Sequence, residues 1–189
     1  AGKMSDFDKD VLRHIHDLGV THLWYTGVIR HATCTDYSAF GIPTQNPRVV
    51  KGRAGSPYAI TDYYDIDPDI AVDVDARMAE FEALIARTHA EGMKVIIDFV
   101  PNHVARQYKS IAKPKGVEDL GEGDDTGKHF DPQNNFYYCP GEQLDLSGVV
   151  ENVYAHDAEA YHEYPAKCTG NDRFDSHPQQ NDWYETIKR

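Results

Sequence analysis

The chain has 189 residues, with 31 aspartates and glutamates against 19 lysines and arginines, and its formal charge of -12 repels phosphate backbones and excludes nucleic acid as the main partner. Hydrophobic residues make up 40% and aromatic ones 11%, as in an ordinary globular domain, and no stretch reaches the roughly 20 apolar residues that span a bilayer. Twelve tyrosines beside so many carboxylates suit stacking on and hydrogen bonding to neutral polyols, although a solvated acidic surface has the same composition.

The opening AGKMSDFDKD has no charged segment followed by an apolar run, so no signal peptide is visible in these residues. Ser5 or Asp6 is expected to cap a first helix whose Val11, Leu12, Ile15 and Leu18 share one face, with Gly19 ending it. A strand over 20–25 follows, closed by Gly27. The connection 30–72 is far longer than the usual roughly two to six residues, yet SPYAITDYYDIDP alternates too regularly for a flexible linker and predicts an ordered loop. Asp73 or Asp75 is expected to cap a second helix carrying Met78, Phe81, Leu84, Ile85 and Thr88 at a helical period, with Gly92 as its stop. Then comes KVIIDFV at 94–100, a continuous apolar run of the kind expected for a parallel strand covered on both faces, in which the charge of Asp98 stands out. Helix, glycine and strand thus occur twice in the same order, the pattern of a βαβ layout and an α/β fold.

Past Val104 the periodicity fades. The segment 116–127 is acidic and glycine-rich and reads as a solvated loop, 131–139 as a turn followed by aromatics, 152–163 as containing a helix, and DWYETIKR at the end as the start of another. The resulting division is 1–104, an irregular unit 105–182, and 183–189 beginning the next helix. Cys34, Cys139 and Cys168 have no CxxC spacing, so neither a disulfide framework nor a zinc site is signalled; Cys139 and Cys168 share the irregular half and either bridge or remain thiols.

The chemistry concentrates in DFVPNHV, 98–104. Pro101 removes a ladder donor and stops the strand, so Asn102 and His103 are delivered at its C-terminal rim, the end where parallel barrels keep their active sites. A carboxylate such as Asp98 inside that strand needs partners, because burying it unpaired is costly.

DFVPNHV is similar to the first conserved region of the α-amylase superfamily, glycoside hydrolase family 13: a strand ending in Asp, with Asn-His four residues on. SPYAITDYYDIDP resembles the loop after that family's second strand, and NDRFDSHP at 171–178 loosely resembles the short region closing its domain B. The resemblance implies a partial (β/α)8 TIM barrel with an irregular inserted domain B, comprising helix 1, strand 2, helix 2 and strand 3. It also implies that Tyr58 stacks on the sugar, that His103 hydrogen-bonds it, and that Asp98 supports the site from within the barrel. Asn102 and, by its matching position, Asp175 would ligate a structural calcium; the neighbours of Asp175 depart from the family pattern, and His177 and Asp172 read as surface residues. No organic cofactor is expected.

The activity so implied is retaining cleavage or transfer at α-glucosidic bonds of starch-like polysaccharides or maltooligosaccharides, through a covalent glycosyl-aspartate. Its nucleophile and acid are expected beyond residue 189, so this chain alone is expected to be inactive and to leave apolar strand edges open to the remainder of the same polypeptide. Long loops after the second and third strands hint at oligosaccharides or exo-action. One competing reading is a non-catalytic carbohydrate-binding protein on the same scaffold. Another is a histidine-metal hydrolase, which the spacing of His103 from other histidines does not support. No membrane partner is expected, and the compartment is open, with a periplasmic or extracellular setting the expectation.

Overall fold

In the computed structural model the described residues are 2–149, 153–170, 174–179 and 183–187. A 3-10 turn at Met4–Asp6 leads into helix α1, Lys9–Asp17. Its cap is Asp8, whose carboxylate accepts from Val11 N at 2.9 Å, and not Ser5 or Asp6: the earlier turn consumes Asp6, which accepts from Lys3 N. Strand β1, His22–Tyr25, pairs in parallel with β4, Lys94–Ile97, in the register His22↔Lys94 through Tyr25↔Ile97. Helix α2, Arg77–Ala90, precedes β4. Ala76 occupies its cap position with no side-chain bond, because Asp73 closes the preceding turn and Glu80 reaches back from inside the helix to accept from Val72 N and Asp73 N. Neither Asp73 nor Asp75 caps it.

The long connection is ordered. It contains β2, Ile29–His31, and β3, Ile60–Ile66, paired antiparallel with two register shifts, and three short 3-10 turns. One apolar core lies beneath α2, where Phe81 and Leu84 meet Ile66, Val28, Ala71 and Met4. The irregular half is held by two further antiparallel pairs, β5 (His103–Ala105) with β8 (Tyr184–Thr186), and β6 (Tyr138–Cys139) with β7 (Ala166–Lys167). Cys139 and Cys168 are free thiols with their sulfurs 3.6 Å apart.

Three expectations are corrected here. The terminal segment is strand β8 and not helix: the aromatic Tyr184 and the β-branched Thr186 and Ile187 favour extended backbone, and the edge of β5 takes up the strand's backbone groups. Within 153–163 only the 3-10 turn Val153–Ala155 forms, since Glu163 is drawn off by Arg106, Tyr161 and the Lys167 amide, while its carbonyl accepts from Leu144 N; Asn152 lies outside the described residues. The run 94–100 is strand only to Ile97 and is not covered on both faces: Trp24, Ile96 and Phe99 are 64%, 45% and 66% exposed, because β1 is the one strand beside β4 among the described residues.

A buried charge cluster binds these elements. Arg30 on β2 reaches Asp62 Oδ2 at 3.2 Å and Asp65 Oδ2 at 3.1 Å, and Arg77 at the start of α2 grips Asp65 at 2.7 and 2.9 Å. Asp62, fully buried, also accepts from Ser110 Oγ at 2.6 Å and from the amides of Ile111, Ala112 and Tyr64. Burial pushes this carboxyl up, but the hydrogen bonds outweigh it and hold it below its ordinary value of 3.8. Its stabilising contribution is therefore complete above that value and lost as pH falls through the lower folded value. Asp62→Ala is expected to cost about 3 kcal/mol in urea unfolding, since it strands buried donors. In Asp62→Asn the loss of stability below pH ~4 should be shallower than in the unaltered chain.

Candidate functional site

The polar residues of 98–104 gather where β4 gives way to β5. Asp98 Oδ1 accepts from Trp24 Nε1 at 2.8 Å, across the β1–β4 pair, while Oδ2 is buried without a hydrogen-bond partner among the described residues. The turn that follows is clamped by Tyr63, whose hydroxyl donates to Val100 O at 2.7 Å and His103 O at 3.3 Å; burial pushes this phenol up to about 12, so it stays a donor.

Asn102 Nδ2 lies 3.2 Å from His103 Nδ1, and Asn102 O accepts from Ile187 N on the strand beyond. An amide nitrogen only donates, so His103 Nδ1 is the bare nitrogen and Nε2 carries the proton. That Nε2 is buried with no partner among the described residues. Burial lowers the pKa of His103, an effect the nearby Tyr58 backbone partly offsets, and the ring is neutral at pH 7. It lies on Tyr184, with centroids 4.3 Å apart and planes at 31°. Tyr184 OH in turn donates to Ser56 Oγ, which also accepts from Tyr58 N.

Tyr58 itself is exposed, on a turn that only glycine permits at Gly55, where φ is +73° and a Cβ would stand 1.6 Å from Ala32 O. The structure therefore brings Tyr58, Asn102 and His103 into one neighbourhood, with Asp98 at the strand end leading into it. Asp175 is half-buried elsewhere in the irregular half, its carbonyl accepting from Thr169 N and its charge acting on Cys139 and Cys168. His177 approaches Asp145 at 3.9 Å, while Asp172 falls outside the described residues.

Two contributors escaped the sequence reading. Trp24 was legible in principle, since it faces Ile96 in the parallel register, two residues before Asp98. Tyr184 was hidden by the reading of its segment as helix.

A family model described as "Alpha amylase, catalytic domain" matches residues 9–177. Maltase 1 of Drosophila virilis is 32% identical over 113 residues, 58% of this chain and 14% of that protein. A cyclomaltodextrin glucanotransferase of Bacillus sp. (strain 6.6.3) is 28% identical over 145 residues, 75% of this chain and 18% of that protein. This chain thus spans less than a fifth of either relative's length. Among solved structures, an α-amylase from Lactobacillus plantarum has 32% identity over 58% of this chain and 21% of its own, with a TM-score of 0.42.

The Asn102 contact makes a spectroscopic prediction. Nitrogen-detected NMR of the imidazoles should show His103 as the Nε2–H tautomer, with a titration midpoint below its ordinary 6.5; Asn102→Asp, which replaces the donor by an acceptor, should move the proton to Nδ1.

Proposed function

The chain belongs to the α-amylase catalytic-domain family, and from that footing we propose that it forms the opening part of a (β/α)8 barrel with an inserted domain B, in a retaining glycoside hydrolase or transglycosylase. The bonds acted on are α-glucosidic, in starch-like or maltooligosaccharide substrates. One observation carries the reading: Asp98 Oδ2 and His103 Nε2 are both buried without hydrogen-bond partners among the described residues, a costly state that substrate hydroxyls would relieve, beside the exposed phenol of Tyr58. The exposed faces of Trp24, Ile96 and Phe99 support the barrel, as surfaces that further strands of the same polypeptide would cover.

In this reading Tyr58 stacks on a pyranose face. His103, neutral and with its proton on Nε2, donates to a hydroxyl of that sugar, a bond that strengthens as charge develops in the transition state. Asp98, oriented by the Trp24 indole, accepts from a second hydroxyl. Retaining cleavage needs two carboxyl groups about 5–5.5 Å apart; the family resemblance assigns the nucleophile and the acid to later strands of the barrel and leaves Asp98 a positioning role.

For the structural calcium that the resemblance implies, Asn102 would offer an amide oxygen and Asp175 a carboxylate, the hard oxygens calcium takes; Asn102 stands beside His103, and Asp175 beside Cys139 and Cys168. When bound, the ion would supply fixed positive charge between the barrel and the insertion.

Incubated with soluble starch, this chain alone should release no reducing sugar. In the full-length parent, His103→Ala should lower kcat/KM by roughly 10²- to 10³-fold, and Tyr58→Ala should mainly raise KM. Turnover by the isolated chain, or an unchanged kcat/KM in His103→Ala, would overturn the assignment. A parent that binds maltooligosaccharides without cleaving them would instead be a carbohydrate-binding scaffold.

A further inference from the structure

The irregular half holds a set of donors that sugar chemistry does not use. Cys139 ends β6, and Cys168 immediately follows β7. In the antiparallel register Cys139 faces Ala166, while Cys168 N donates to Tyr137 O at 2.9 Å, so the two cysteines are diagonal neighbours on one face of the pair. Both are buried, and their sulfurs stand 3.6 Å apart, well beyond the roughly 2.05 Å of a disulfide.

A third donor closes the group. A ring nitrogen of His129 and the two sulfurs all lie within 4.8 Å of one another. His129 Nδ1 is 2.6 Å from the carbonyl of Tyr138, which only accepts, so Nδ1 carries the proton and the lone pair is on Nε2. The ring is flanked by Tyr137 and Phe174, at 6.1 and 6.5 Å between centroids. A backbone carbonyl on the far nitrogen is how metal-bound imidazoles are oriented and made more basic.

The sulfur spacing points the same way. Two thiolates at about 2.3 Å from a tetrahedral ion stand about 3.8 Å apart, so the observed pair needs only a small adjustment to share one. Two sulfurs and an imidazole are a soft set that selects zinc over calcium. The surrounding chain has reason to need such a staple, because β6 and β7 are two residues each, too short a ladder to hold itself in water.

We propose that His129, Cys139 and Cys168 bind one zinc ion, which ties the β6–β7 pair to the segment carrying His129, with water completing the tetrahedron on the exposed histidine side. The site is structural and separate from the sugar-binding residues, with Asp175, whose charge acts on both cysteines, beside it.

The test uses the full chain, purified reduced and without chelator. Metal analysis should find close to one zinc per chain, retained when calcium is added in excess. Replacing zinc by cobalt should produce a thiolate-to-cobalt charge-transfer band, absent in Cys139→Ser and in Cys168→Ser. Because the cysteines are buried and their variants risk unfolding, His129→Ala, at an exposed position, provides the second arm: it should fold, by circular dichroism, yet bind zinc at least tenfold more weakly. Failure of the folded, reduced chain to bind either metal would overturn the proposal. So would a Cys139–Cys168 disulfide in a parallel preparation made without reductant, seen as a mass lower by two hydrogens, or unaltered zinc affinity in His129→Ala. Starch assays do not enter these readouts, so the zinc site stands or falls apart from the glycosidase assignment.

Discussion

The buried pairing of Arg30 with Asp62 and Asp65 is the constraint from which the rest of the structure follows. Ionised groups removed from water persist only when every partner is present, and this cluster recruits partners from four places in the sequence: β2, β3, the first turn of α2 and the turn at 110–112. Satisfying Asp62 fixes the register of β3 against the turn that follows β5, and satisfying Asp65 fixes where α2 begins.

The neighbour of Asp62 in sequence is Tyr63, which carries that constraint to the site by clamping the carbonyls of Val100 and His103. A second buried group works from the other side. Arg106 beside β5 pairs with Glu163 at 3.0 Å, and Lys167 on β7 meets Glu185 on β8 at 2.9 Å, in surroundings dry enough that burial pushes Glu185 up to about 8. Strand β8 is thereby pinned to β5 and β7 together, which seats Tyr184 under the ring of His103. The histidine is thus placed from both faces by buried polar pairs that never touch it.

Much of this was legible, and the exceptions have physical causes. Periodicity located α1, α2, β1 and β4, because each buries one face or pairs along one edge, and Pro101 marked the end of β4. The caps were misplaced because carboxylates crowd both helix starts, and which one turns inward depends on contacts such as Glu80 reaching back to Val72. The segment 183–187 was read as helix because its partner, β5, lies about 80 residues earlier, a distance over which local propensity has no say. The motif 98–104 disclosed Asp98, Asn102 and His103, but Trp24 and Tyr184, which orient them, required the pairing of strands. The soft cluster of His129, Cys139 and Cys168 left no spacing signature, since its members meet only through the diagonal geometry of a four-residue sheet.

Three histidines show how little the side chain alone decides. His31 is half-buried, which lowers its pKa, but Asp67 at 2.9 Å outweighs burial and raises it, favouring a cation that holds the loop at Ala54. Among the described residues no carboxylate pairs with His103; an amide donor on Nδ1 and burial make it neutral with its N–H on Nε2, the form that serves a sugar oxygen. His129 has a carbonyl at Nδ1, so its remaining nitrogen is bare, the form that serves a cation. Exchanging the groups at Nδ1 between His103 and His129 would exchange their chemistry: a donor there produces a hydrogen-bond donor at Nε2, and an acceptor there produces a ligand. The functional assignment of each imidazole therefore resides in the atom behind it.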